Sequence, residues 1–110
     1  MVPTRVRAGG YRGTLAFEIQ AVLDPLGGMN GRVDLASPFF EAKFKIDCGW
    51  TDGSIAVLGG HDANAVAWVV MVSDNPDGLI VGNGRDCDTT GFGNPSSLAI
   101  TSGDISIVEH

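Results

Sequence analysis

The sequence predicts an all-β or β-rich domain, a small antiparallel meander of about seven strands that closes into a barrel or a sandwich. Three observations predict this fold class. Segments 14–23 and 39–47 alternate apolar and polar residues, which is the period of a half-buried strand. Segment 65–72 is apolar at every position and rich in valine, which favours a central strand covered on both faces. The 16 glycines are about twice the usual share and indicate many tight turns.

The first half of the chain contains the clearest strand patterns. Residues 1–12 show no sustained period and contain a glycine pair, so we expect an arm or a short edge strand there, followed by a single domain over 13–110. The strand at 14–23 ends at Asp24-Pro25, and residues 32–36 are a candidate for a brief strand. The alternation over 39–47 predicts an amphipathic strand with Phe40 among its inward residues.

The second half predicts shorter strands between turns rich in glycine and aspartate. These strands lie at 54–58, 65–73, 79–82, 97–101 and 105–109. A polar connection without periodicity occupies 82–96. In the alternative fold, α+β, Asp62 caps a helix near 62–73; the missing polar face and the valines of that segment disfavour it.

The charge distribution bears on partners and compartment. The net charge is −6, and six of the seven Lys and Arg residues precede residue 46, so the body of the domain is acidic. An acidic body repels phosphate backbones, and we expect no nucleic-acid partner. The longest apolar run, eight residues, is far short of the roughly 20 that span a bilayer as a helix, so we expect no membrane partner. No secretion signal is recognisable, which predicts a cytoplasmic protein.

A simple meander sorts the connections between the two ends of the sheet. Connections 24–38, 59–64 and 83–96 share one end, where we expect any site to lie. Cys48 and Cys87 fall at opposite ends, separated by a strand of about 17 Å or more, whereas a disulfide needs Cα atoms within about 7 Å. The meander therefore predicts two free thiols, which suits a reducing cytosol; a Greek-key crossing would instead bring the cysteines together.

The interior histidine gives the only candidate acid–base chemistry. His61 stands beside Asp62, and Asp86 and Asp88 are expected at the same end, so these four residues are the catalytic candidates if the protein is an enzyme. No nucleophile is placed with them. We favour the structural alternative, in which Asp62 forms an Asx turn and His61 is solvated.

The polar connection and the aromatic residues give the remaining candidates. Asn83, Asp86 and Asp88 offer oxygen ligands for calcium, but their spacing does not match a calcium loop and we expect them to cap turns. We expect no metal and no other cofactor. Trp68 is expected in the core with one partner for its indole N–H. The candidate ligand-binding or interface residues are Trp50, Phe92 and Arg85.

These observations predict a non-catalytic binding or interaction module rather than an enzyme. Apolar residues on the second faces of several predicted strands favour self-association as a homo-oligomer. These residues are Val22, Ala56, Leu58 and Val108. A protein or a small molecule is the expected ligand. The alternatives are a small enzyme that uses His61 with an aspartate, and a calcium-binding loop at 83–94.

Overall fold

A computed structural model describes residues 3–24, 28–52, 55–74, 77–84, 87 and 99–109. Within them the protein is all-β, with eight antiparallel strands in one nearly closed, barrel-shaped sheet and no helix. The strands are β1 (Thr4–Arg12), β2 (Leu15–Leu23), β3 (Met29–Ala36), β4 (Glu41–Asp52), β5 (Ile55–His61), β6 (Ala67–Asp74), β7 (Asp77–Asn83) and β8 (Ser102–Glu109). No helix in this part of the chain has the length and apolar character needed to cross a membrane.

The strand order is a meander in which the last strand returns to pair with the first. The order β7-β6-β5-β4-β3-β2-β1-β8 confirms the predicted fold class, with one strand more than expected. The helix considered near 62–73 does not form, because Ala67–Asp74 pairs with β5 on one side and β7 on the other. Its odd and even positions are both buried, as predicted for a strand covered on both faces.

The first strand corrects the prediction of an N-terminal arm or short edge strand over 1–12. Thr4–Arg12 pairs along its length with β2 and β8, so it has a neighbour on each side. The glycine pair that interrupts its apolar period has a packing role. Gly10 lies opposite Gly103 of β8, and a Cβ on Gly10 would come within 2.7 Å of the Gly103 Cα. The two strands can approach this closely only because both positions lack a side chain.

A β-bulge in β4 changes which residues point into the barrel. Up to Ile46 the even-numbered residues of β4 are buried, including Ala42 and Phe44. The pairing with β5 then skips Asp47, so that Ile46 lies opposite Gly60 and Cys48 opposite Gly59. One extra residue reverses the alternation, and Cys48 and later residues therefore change faces.

The bulge explains why the prediction of two free thiols is wrong. Cys48 and Cys87 form a disulfide with Cα atoms 6.2 Å apart. Cys48 lies inside β4 rather than in a loop at the far end, and its side chain crosses the outer face of β5 toward the connection after β7. The bond passes over Gly59, where a Cβ would lie 2.6 Å from the Cys87 sulfur and 2.7 Å from the Cys48 sulfur. A larger residue at position 59 would obstruct this path.

Two apolar clusters flank strands β5 to β7. The larger fills the barrel interior and includes Leu58, Val70 and Leu79. The smaller lies on the outer face of the same strands and comprises Val57, Val69, Met71 and Ile80, with Cys87 packed against it. The disulfide thus holds Cys87 on apolar side chains outside the barrel, and both clusters are buried within one chain.

The barrel is nearly closed between its first and last strands in the sheet order, β7 and β8, where carboxylates at the end of β6 and the start of β7 reach β8. One β-bridge joins Gly78 to Ala99. Beyond it, the Asp77 carboxylate accepts a hydrogen bond from the Ile105 N–H at 3.2 Å, and the Asp74 carboxylate accepts one from the Ile107 N–H at 3.0 Å. These carboxylates satisfy backbone donors of β8 that lack a strand partner on this side.

The directions of the strands place three connections together at what we call the upper end. These are the turn 13–14, the connection 37–40 and the connection 62–66. The connection after β7 also starts there, where the Gly84 N–H donates to the Ala67 carbonyl at 2.8 Å. Because residues 29–36 form β3, connection 24–28 lies at the opposite end, which corrects the predicted grouping of 24–38 with 59–64.

Candidate functional site

The upper end of the barrel contains a cavity of about 620 Å³. Its lining comes from the end of β1, the turn 13–14, the connection 37–40, the start of β6 and the end of β7. The interior of a small barrel is filled by side chains, and its mouth is a common place for a ligand. Apolar and polar residues both line the cavity, a combination that small-molecule sites share.

An aromatic pair forms one wall of the cavity. The rings of Phe40 and Trp68 stack with centroids 5.2 Å apart and an interplanar angle of 22°. Trp68 is 8% exposed, as predicted for a core residue. Phe39 also lines the cavity but is 88% exposed, so it stands at the rim.

The connection between β3 and β4 fixes the two phenylalanines in these places. The Ser37 hydroxyl accepts hydrogen bonds from the N–H groups of Phe39 and Phe40, at 3.1 and 3.2 Å. The Ser37 N–H in turn donates to the Phe40 carbonyl at 2.8 Å. Serine hydroxyls commonly stabilise turns in this way. The turn directs Phe40 onto Trp68 and leaves Phe39 outside.

Asp62 holds the other side of the aromatic wall. One of its carboxylate oxygens accepts a hydrogen bond from the Trp68 indole N–H at 2.9 Å. The other accepts from the N–H groups of Asn64 and Val66, at 2.8 and 3.0 Å, which forms the predicted Asx turn. The indole hydrogen bond, followed by those from the backbone of Val66 and Asn64, lowers the pKa of Asp62 below its usual value. The ionised carboxylate therefore orders connection 62–66 and orients Trp68.

Arg12 supplies the only charge on the cavity wall among the residues that the structure describes. It occupies an inward position of β1, in the same register as the buried Val6 and Ala8. The side chain is half-buried, and its Nε is buried without a hydrogen-bond partner in the described part of the chain. An unsatisfied buried donor is costly, and a charged one more so.

The structure does not assemble the predicted acid–base pair of His61 and Asp62. The Nδ1 atom of His61 lies 2.8 Å from a carboxylate oxygen of Asp47, and both side chains are largely exposed. The Asp62 carboxylate is directed at Trp68 and the turn instead. His61 is also outside the lining of the upper cavity. Asp86 and Asp88, the other two candidates, fall outside the described residues.

The remaining predicted site residues are not brought together by the described structure. Trp50 is 42% exposed on the outer face, opposite Val57 of β5 and away from the cavity lining. Asn83, a weak calcium candidate, ends β7 and lines the cavity. Phe92 and Arg85 lie outside the described residues. Among those described, no three His, Cys, Asp or Glu side chains are grouped as a metal would require.

The sequence does not single out Arg12, because residues 1–12 lack a sustained apolar period. A two-residue period does run through Thr4, Val6, Ala8 and Gly10 to Arg12, and it would have placed the guanidinium on the interior face. The glycine pair hides that period.

No protein-family model matches the chain, and the searches of curated proteins and of solved structures also give no match.

Proposed function

We propose that the protein is a non-catalytic binding module whose upper cavity takes a small molecule with an apolar body. The observation that carries the proposal is the aromatic wall of Phe40 and Trp68 facing a cavity of about 620 Å³. Drug-sized ligands bind in concave sites of this order that combine aromatic side chains with a few polar groups. Binding of such a molecule requires the aromatic wall of Phe40 and Trp68 and the rim at Phe39, and it requires no catalytic group.

The proposal is supported by the hydrogen bonds that fix the Phe40 and Trp68 rings in position. Asp62 fixes the indole and Ser37 fixes the turn that carries Phe40, so hydrogen bonds within the chain hold the two stacked rings in place. A preorganised wall loses little conformational entropy when a ligand binds, which raises affinity for the same contacts. The exposed Phe39 lies at the rim, outside this wall.

Self-association has less support than the sequence suggested. Of the four residues that motivated it, Ala56 and Leu58 have no exposed surface and lie in the interior cluster. Val22 and Val108 remain, 37% and 39% exposed. They are separated by Arg5, which is opposite Val22 on one side and Val108 on the other. Two valines around an arginine are a small apolar surface for a stable dimer.

The disulfide also bears on the compartment. The expected cytoplasm keeps thiols reduced, whereas a disulfide such as Cys48–Cys87 persists in an oxidising compartment. We therefore propose that the protein works in an oxidising compartment rather than in the cytoplasm. Alkylation of free thiols in freshly lysed native cells, followed by mass spectrometry, tests this proposal. Cys48 and Cys87 that are both fully alkylated would contradict it.

The binding proposal is tested with N-phenyl-1-naphthylamine, a neutral dye that fluoresces in apolar sites. We expect saturable one-site binding to the purified chain, and weaker binding to Phe39→Ser, which removes the aromatic rim with little effect on the core. The matched control is Tyr11→Ser, which removes another exposed aromatic ring, 53% accessible and outside the cavity lining. Absence of dye binding, or equal weakening by both variants, would overturn the proposal.

A further inference from the structure

We infer that the ligand of the upper cavity carries a carboxylate, and that Arg12 is the residue that selects it. This inference rests on the proposed binding function and adds the chemical class of the ligand. It starts from the unsatisfied guanidinium donor described above.

The described lining of the cavity provides no opposite charge for Arg12. No Asp or Glu is among the described residues that line it. An arginine on an interior register, without an acidic partner among the described residues, costs stability unless something compensates. A residue with this cost is better explained by a ligand than by the fold, because an apolar residue at the same register would pack more favourably.

The free atom also indicates the shape of the anion. In a guanidinium group, the Nε–H and one Nη–H point in the same direction and fit two oxygens of a carboxylate or a phosphate. Arg12 is the single charge on the described wall, so it matches the one charge of a carboxylate better than the nearly two charges of a phosphate monoester. A pair formed along this edge requires that Nε be free, as it is here. Because Nε is buried, we expect the guanidinium to turn toward the cavity when the ligand binds.

The aromatic wall and Arg12 together define an amphiphile. The apolar body would lie on the rings of Phe40 and Trp68, and the carboxylate would face Arg12 at the end of β1. A fatty acid or an arylalkanoic acid has this arrangement. The corresponding alcohol has the same body without the charge, so it should bind through the wall alone.

Competition against bound N-phenyl-1-naphthylamine tests the inference with octanoate, octanol and octyl phosphate. For the wild-type chain we expect octanoate to displace the dye at a concentration about tenfold or more below octanol, since a charge-assisted bidentate pair is stronger than a neutral contact. Octyl phosphate tests whether the site prefers a carboxylate to a phosphate on the same alkyl chain. Displacement as efficient as that by octanoate would overturn the preference for a carboxylate.

Variants of Arg12 separate the charge from its geometry. In Arg12→Gln we expect octanoate to fall to the level of octanol, with each competitor measured against the dye affinity of that same variant. Arg12→Lys keeps a charge without the bidentate edge and should recover only part of the preference. The control is Arg7→Gln, which removes the same charge from an exposed position of β1 and should leave the preference intact. Urea midpoints of each variant check that it is folded.

The outcomes distinguish the two proposals. If the dye does not bind, the binding function itself fails. If the dye binds but octanoate and octanol compete equally in the wild type, the binding function stands and the inference fails. The inference also fails if Arg7→Gln lowers the preference as much as Arg12→Gln does.

Discussion

Removing the disulfide should cost a large part of the stability of the fold. Cys48 and Cys87 are separated by 39 positions in the sequence. The chain-entropy relation for a loop of that size gives about 4 kcal/mol at 25 °C. Domains of this size have unfolding free energies of roughly 5 to 15 kcal/mol. In Cys48→Ala/Cys87→Ala, with a urea slope of about 1.5 kcal/mol/M, we expect the midpoint to fall by about 2 to 3 M.

The path of the disulfide over Gly59 allows a second test of the same geometry, by substitution of Gly59 with and without the disulfide. In the oxidised protein, Gly59→Ala places a Cβ within 2.7 Å of both sulfurs, and overpacking of this kind costs about 1 to 3 kcal/mol. In the cysteine-free background that obstruction is gone, and we expect the same substitution to be nearly neutral. Urea unfolding of the four proteins in this cycle measures the difference. An equal cost in both backgrounds, or a loss below about 1 kcal/mol on removing the cysteines, would refute the proposed geometry.

Two further predictions concern carboxylates that hold the barrel together. The lowered pKa of Asp62 means that its ionised form stabilises the fold, fully above the usual value of 3.8 and less as the pH falls through the folded pKa. Urea midpoints between pH 5 and 2 should therefore fall more for the wild type than for Asp62→Asn, and parallel curves would contradict this assignment. At the seam, Asp77→Ala leaves the buried Ile105 N–H without its acceptor and should cost about 1 to 3 kcal/mol. Asp77→Asn keeps an acceptor oxygen and should cost less. Amide exchange at Ile105 should accelerate in the alanine variant only. Unchanged exchange at Ile105 in Asp77→Ala would exclude the hydrogen bond.

The sequence predicted the strands whose side chains follow the pleat without interruption. Leu15–Leu23 alternates perfectly, and its predicted limits differ from the observed ones by one residue at most. The segment that became β6 could be recognised because both of its faces are apolar. The extent of β1 was hidden by glycines at 9 and 10, whose role is a close approach to β8 that no local pattern reveals.

The disulfide could not be predicted from spacing because it depends on one extra residue in β4. Without the bulge at Asp47, Cys48 would share the interior register of Ile46, and the connection after β7 could not reach it from outside. A bulge leaves little trace in a single sequence, since it is a property of two paired strands. Gly59 is consistent with the disulfide, because the bond passes over a position without a side chain. This relation can be recognised only when the pairing of β4 with β5 is known.

The candidate site was predicted in part. Trp68 in the core with a partner for its indole, the inward Phe40 and the Asx turn at Asp62 all follow from residue type and period, and all three are present. The role of Arg12 was missed because it depends on what surrounds the side chain in three dimensions. The sequence pairs His61 with its neighbour Asp62, whereas in the structure its Nδ1 atom lies against a carboxylate oxygen of Asp47.

The most direct test of the binding proposal is a ¹⁵N–¹H spectrum of the chain titrated with octanoate. We predict that the Trp68 indole N–H and the Arg12 Nε–H shift together along one binding curve, because one molecule contacts both. The Trp50 indole N–H, on the outer face, should stay in place. Signals of Trp68 and Arg12 that do not move at saturating octanoate, or a shift at Trp50 on the same curve, would contradict the proposal.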